Sequence, residues 1–518
     1  MRYARLAFVF STLLGLSLRA DADVLGRVLA AADDQSGGTT PPQQPPDLTA
    51  WAGEARATTL PELLQIAVRQ APSLASAKLD IAIAEARIQQ TWARNDWQTR
   101  AQLKGSRGYG IVSGGFTIDQ ATTIDGTADL SRALPTGGTI ALHLGTSYQS
   151  TEIAPPTGNS SSWSEDISGS ITQPLLRGRG RQLFEANEAR ATLARDASVL
   201  ANRLVAIQSV QAVIAAYWDL VLAERTVAIT QASLDLARER LRVTQIGADG
   251  GKTPRSEIPA VLQIIATREE DVLNGELTVL DRSIALRRAT GMPIGAGELG
   301  LRVATDLETK DTQLDLGQLV ERAYTASPEL AQLKDQDASA TLDVTVTENG
   351  LLPQLDASLS LGPTGNANAF GQSWQNLAEL KTISISGTLT FSQSLGRNDV
   401  LGRAREQREL KRKLAVNAID LRAQIAQTMT RAVAQLELAR RPLGLSQRAI
   451  DLANENIKIE TDRFNLGKST NFDVLNRLED LRQAELRKTQ ALIDWHKAEI
   501  VVHALTGDIL PMYGIAVD

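Results

Sequence analysis

The chain has 518 residues, 43% of them hydrophobic and only 4% aromatic, with a formal net charge of −6. It has no cysteine, which excludes disulfides, thiol nucleophiles, cysteine-based metal sites and lipid attachment through an N-terminal cysteine. The acidic balance argues against nucleic acid as a partner, because that recognition needs a basic footprint.

Residues 1–22 read as a secretory signal, with basic Arg2 and Arg5, an apolar run from Leu6 to Leu18 and a small-x-small site at Ala20-Asp21-Ala22. That run is too short to span a bilayer, and no later stretch approaches the roughly 18 uninterrupted apolar residues a spanning helix needs. Any membrane span must then be a β-barrel, the other structure that satisfies its backbone in lipid. Residues 23–58 form a linker carrying Gly37-Gly38, Pro41-Pro42 and Pro45-Pro46.

Residues 59–291 and 316–507 share one layout and read as two repeats, joined by a connector at 292–315 and followed by a tail at 508–518. The helical opening at Leu60 recurs at Leu316, and Pro72 recurs at Pro328; both offsets are 256 (316 − 60 and 328 − 72). Gly251 precedes Gly291 by 40 residues, as Gly467 precedes Gly507 (291 − 251 and 507 − 467).

In the first repeat a short helix reaches Pro72 and a longer one runs from Ser73 to about Asn95. Barrel strands occupy about 97–173. Alternation over Thr122–Ser131 and Ile140–Tyr148, around Pro135-Thr136-Gly137-Gly138, marks an additional hairpin. Ile167, Gly169 and Ile171 alternate with Ser168, Ser170 and Thr172 up to Gln173-Pro174. Long helices follow at about 181–246 and 254–290, with Pro254 expected at the first helical position of the second. In the second repeat, strands at about 353–392 show the same period of two, with a polar face of small hydroxyl residues suited to a wet lumen opposite lipid. Long helices follow at about 398–466 and 471–506, and Pro442 predicts a kink near Arg441. Helices of this length suggest a coiled coil or a related array.

Several signals fail on context. Gly295-Ala296-Gly297-Glu298-Leu299-Gly300 has the letters of a dinucleotide fingerprint but follows Gly291-Met292-Pro293 instead of an apolar strand. Gly247-Ala248-Asp249-Gly250-Gly251-Lys252-Thr253 is one residue short of a phosphate loop, and Pro254 follows it. His143, His496 and His503 are the only histidines, and two of them seven apart on a helix make poor metal geometry. No metal, cofactor or catalytic constellation is expected. Trp92, Trp97, Trp163 and Trp374 flank the strands, where membrane barrels place aromatic belts.

These features resemble the TolC-type outer-membrane efflux family over nearly everything after the linker. The resemblance is carried by Gln173-Pro174-Leu175-Leu176-Arg177-Gly178, by the doubled Ala-x-x-x-x-Pro-x-Leu-Ala openings, and by the run from Arg463 to Leu475. It implies a mainly α fold with membrane β structure: a trimeric β-barrel of 12 strands or more, continued by a long α-helical barrel with two structural repeats per chain. It further implies a homotrimer in outer-membrane lipid, extending into the periplasm. A periplasmic adaptor and an energised inner-membrane transporter would be its partners, for efflux or type I secretion. Gln173, Pro174, Arg177 and Gly178 would form the strand-to-helix junction, with the arginines near lipid headgroups.

By the same resemblance, the turns at Gly251, Lys252, Thr253 and at Gly467, Lys468, Ser469 are adaptor-binding tips. Asp473 falls on an aperture aspartate, while a second aspartate of the family is Asn476 here. Glu257 takes the matching place in the first repeat (473 − 467 and 257 − 251 are both 6). Thr470-x-x-Asp473 also reads as a capping box, so Asp473 has two readings, aperture and cap. The leading function is a passive exit duct with a periplasmic aperture, not an enzyme. A soluble periplasmic coiled-coil scaffold or adaptor is the alternative.

Overall fold

The computed structural model describes residues 57–113, 116–153, 158–251, 254–295, 300–303 and 314–516. The expected signal, nearly all of the linker, and Lys252 and Thr253 lie outside the described residues.

β1 (Ala57–Thr58) leads into α1 (Leu60–Gln70), and α2 (Pro72–Thr91) begins at the proline itself. Ala71 is extended between them, as a residue before proline tends to be. A 3-10 turn (Trp92–Asn95) ends α2. Four strands follow: β2 (Gln98–Ser113), β3 (Phe116–Ala133), β4 (Thr139–Ile153) and β5 (Gly158–Pro174). After the single turn α3 (Arg181–Phe184), α4 (Ala186–Asp249) runs for 64 residues, about 96 Å at 1.5 Å per residue. α5 (Glu257–Thr290) returns antiparallel, and β6 (Arg302–Val303) pairs in parallel with β1.

The second half contains α6 (Leu316–Ala326), α7 (Pro328–Asn349), β7 (Gln354–Ala367), α8 (Phe370–Ala378) and β8 (Thr382–Ser392). Its long helices are α9 (Asn398–Asn465) and α10 (Asn471–Leu505), and α11 (Ile509–Met512) closes the fold. α9 continues through Pro442, whose ring leaves the Leu438 carbonyl without its usual helical partner. α5 starts later than the sequence suggests. Pro254 sits in a turn closed by the Glu257 N–H on the Pro254 carbonyl at 3.1 Å, so it precedes the helix.

The six longer strands form one antiparallel sheet in the order β2-β3-β4-β5-β7-β8. Register keeps like with like. Leu130 faces Leu142 and Ile171 faces Leu359 on one side; Lys104 faces Asp125 and Ser360 faces Ser386 on the other. Leu142, Leu359 and Leu361 are about half exposed, so the apolar side has no covering layer over much of its area. α8 covers one corner of it, with Leu377 buried and the helix laid against β7 and β5.

The helices pack as coiled-coil seams. Ala206, Val210, Val213, Tyr217 and Leu220 are buried on α4 at alternating steps of four and three. Ile425, Met429, Ala432 and Leu436 repeat that rhythm on α9. α1 caps the first row through Leu63 and Leu64, and α6 caps the second through Ala323. By length and composition alone α4 holds a window apolar enough to cross a membrane, but half of that window is buried in this core.

Candidate functional site

The sheet's hydroxyl side is the candidate channel wall. On β8 it is Ser and Thr throughout, as at Ser384, Ser386 and Thr388, and on β7 Ser358, Ser360 and Thr364 share it with Gln354 and Asp356. On β3 to β5 it becomes charged. His143 Nδ1 lies 2.6 Å from Asp129 Oδ1, and its Nε2 lies 3.5 Å from Asp166 Oδ2. Ser147 Oγ donates to Asp125 at 2.7 Å. Gly145 makes room for this cluster, because a Cβ there would sit 2.2 Å from Asp166 Oδ1. The cluster joins three strands and has no local sequence signature.

The junction brings the Gln173–Gly178 motif against the β3–β4 turn. Thr136 Oγ1 donates to Gln173 Oε1 at 2.6 Å, and Gln173 Nε2 donates to the Thr136 carbonyl at 3.2 Å. β5 ends at Pro174, whose ring offers no ladder donor. The Arg177 and Gly178 N–H groups then turn to the Pro353 carbonyl (3.3 Å) and Asn349 Oδ1 (2.7 Å), which ties the first half to the second. Gly137 (φ 89°) and Gly178 (φ 85°) both need positive φ. A Cβ on Gly137 would also lie 2.1 Å from the Gly178 carbonyl oxygen. The side chains of Arg177, Arg179 and Arg181 are exposed around this point.

Aromatic side chains mark both ends of the sheet. Trp97 precedes β2, with the Arg132 guanidinium 5.8 Å from its ring centre, and Trp92 Nε1 donates to Glu188 at 3.0 Å. At the other end Tyr148, Trp163, Phe370 and Trp374 form a chain of ring contacts at 4.7, 4.9 and 6.3 Å. Trp163 is eleven residues above Pro174 (174 − 163). That is about 36 Å of strand, or roughly 28 Å of height at a tilt near 40°, close to the apolar band of a membrane barrel.

At the far end the helical hairpins turn on Gly251 and Gly467, both at φ 71°. The second turn is closed by the Lys468 N–H on the Arg463 carbonyl at 2.9 Å, leaving the Lys468 side chain exposed. Asp473 folds back on the helix start. Its Oδ2 accepts from Thr470 N at 3.1 Å and from Thr470 Oγ1 at 2.7 Å, while Ser469 Oγ lies 3.2 Å away. The Thr470 hydroxyl, followed by its N–H, holds the Asp473 carboxyl below the usual aspartate range. Asn476 is exposed on the next turn.

Glu257 does something sequence reading missed. Buried Asn471 donates to Glu257 Oε2 at 2.6 Å and accepts from Arg240 Nε at 2.7 Å. The Arg240 guanidinium stacks 3.9 Å from the centre of the Phe464 ring. Arg240, Glu257, Phe464 and Asn471 stand on four different helices, so one cluster latches both hairpins together. Burial pulls the Arg240 guanidinium down, against the Glu257 charge. A second rung pairs Arg268 of α5 with Glu479 of α10. Burial pushes Glu479 up, but Arg482, Gln483 and Arg268 outweigh it and bring its carboxyl to about 2.

Comparison with known proteins agrees with this geometry. Residues 319–508 match the outer membrane efflux protein family. Nodulation protein T of Rhizobium leguminosarum bv. trifolii is 20% identical over 334 residues, 63% of this chain and 68% of that protein. The pyoverdine export outer membrane protein OpmQ of Pseudomonas aeruginosa is 26% identical over 282 residues, 52% of this chain and 56% of that protein. The solved outer-membrane channel OprN shares the fold at a TM-score of 0.65 and 13% identity, over 91% of this chain and 98% of that one. Residues 319–508 therefore carry the outer membrane efflux protein domain, and the chain shares the fold of the solved outer-membrane channels and their place in the outer membrane.

Proposed function

We propose that three copies of this chain form a passive exit duct, fed by a periplasmic adaptor and an energised inner-membrane transporter, with its aperture at the helical tips. The observation that carries this reading is the sheet. An uncovered apolar face, opposite a hydroxyl face, is stable only with lipid on one side and water on the other. A soluble scaffold would have to hide that face, and among the described residues α8 covers only one corner of it. In this reading the two halves are repeats, and each supplies one helical hairpin to the tunnel. The tips at Gly251 and Gly467, with exposed Lys468, meet the adaptor.

The Arg240–Asn471–Glu257 latch gives the aperture a closed state. Opening must separate the two hairpins, and that breaks both hydrogen bonds and unstacks Phe464. In planar bilayers the wild-type duct should show low conductance with rare large openings. Arg240→Ala, which removes the centre of the latch, should raise open probability about tenfold, the effect of losing a stabilisation of about 1.4 kcal/mol. Absence of any channel activity from either protein would contradict the duct. An unchanged open probability would contradict the latch.

A further inference from the structure

The two halves contribute unequally to the sheet. In the second half a single hairpin, β7–β8, lies between α7 and α9. In the first half two hairpins lie between α2 and α4. β2 and β5 take the positions next to the helices, so β3–β4 is an inserted hairpin. It is part of the wall: its pairing runs unbroken from Gln98↔Ser131 to Gly108↔Ala121 on one side and from Thr139↔Thr172 to Thr151↔Ser160 on the other.

The sheet has two unpaired edges, β2 and β8. An unpaired strand edge cannot stay in hydrocarbon, because its N–H and C=O groups find no water there. The apolar side chains are barest at these edges: Leu103 on β2 is 80% exposed and Ile385 on β8 is 72%, against 39% for Leu144 in the middle. Six alternating strands leave β2 and β8 running in opposite directions. β8 of one copy laid on β2 of the next is therefore antiparallel, like every other pair. Lumen chemistry matches as well, since Arg100 and Lys104 on β2 would meet the hydroxyls of Ser384, Ser386 and Thr388 on β8.

We propose that the occupant of each edge is a second copy of this chain, and that three copies close a barrel of 18 strands (3 × 6). This rests on the trimeric duct proposed above. One hairpin per half would give only 12 strands (3 × 4). Barrel diameter grows roughly in proportion to strand number, so the inserted hairpin widens the outer-membrane bore by about half. The barrel then filters nothing that passes the helical tips, and size selection belongs to the tips alone.

The chain has no cysteine, so introduced pairs report cleanly. Full-length protein carrying Ser386→Cys with Arg100→Cys, Gln102→Cys, Lys104→Cys or Ser106→Cys is oxidised in isolated outer membranes. At least one pair should give a covalent trimer on denaturing gels. Polymer exclusion from the extracellular side gives the second readout: deleting residues 114–157 should lower the threshold polymer radius by about a third. A conducting trimer that yields no cross-link at any of the four positions overturns the 18-strand closure and leaves the duct standing. Failure to find trimers at all overturns both.

Discussion

At the scale of single residues, the tips are governed by where each carboxylate directs its oxygens. Asp473 gives Oδ2 to the start of α10, and a deprotonated carboxylate there suits the positive end of a helix. Asp473→Ala should fray that start, seen as faster hydrogen exchange over residues 471–475, and should also reduce cation over anion selectivity of the open duct. Unchanged selectivity with faster exchange would leave capping as its only role. Glu479 sets a pH dependence. Its folded value of about 2 lies below the ordinary glutamate value. The stabilisation is therefore complete above about pH 4.5 and is lost as pH falls toward 2. Hydrogen exchange at the α5–α10 contact, taken relative to the intrinsic exchange rate at each pH, should stay constant from pH 7 to about 4.5 and rise below it. Glu479→Gln should remove that acid-dependent rise, and a wild-type rise near pH 6 would contradict the assignment.

At the scale of elements, sequence periodicity located most of what the fold contains. The alternation around Pro135–Gly138 became β3 and β4, and the spacing of Val210 and Val213 became a buried seam. Context-dependent features were harder to read. α8 lies where alternation pauses between two strands, and fully buried Glu165 beneath it gives no local signal. The late start of α5 reflects a turn at Pro254 that spacing alone does not distinguish from a first helical turn. The latch was illegible because Arg240 and Asn471 are 231 residues apart. At the junction, the 134–138 turn can approach Gly178 only because Gly137 has no side chain, since a Cβ there would lie 2.1 Å from the Gly178 carbonyl oxygen. Gly137→Ala should cost at least about 1–2 kcal/mol through positive φ and the clash with Gly178. The gel shift that reports barrel unfolding should appear at lower temperature, and an unaltered unfolding temperature would mean that the turn is free to move away.

At the scale of the whole molecule, the chain joins two environments. In the proposed duct its sheet meets lipid on one face and a wet lumen on the other, and its helices of about 100 Å pack on one another in the periplasm. A single copy leaves the sheet with open edges and leaves apolar rows such as Leu438, Leu445 and Leu452 on α9 exposed, which the proposed trimer would cover. The strand blocks and the family resemblance were legible in the sequence, whereas the count of six paired strands needed the register. The most direct test of the account is the mass of the protein extracted in detergent from the outer-membrane fraction, by light scattering with the detergent contribution subtracted. The account predicts three chains per particle. A monomer or dimer that remains soluble without detergent would contradict it, because the apolar face of the sheet would then be covered in some other way than by lipid.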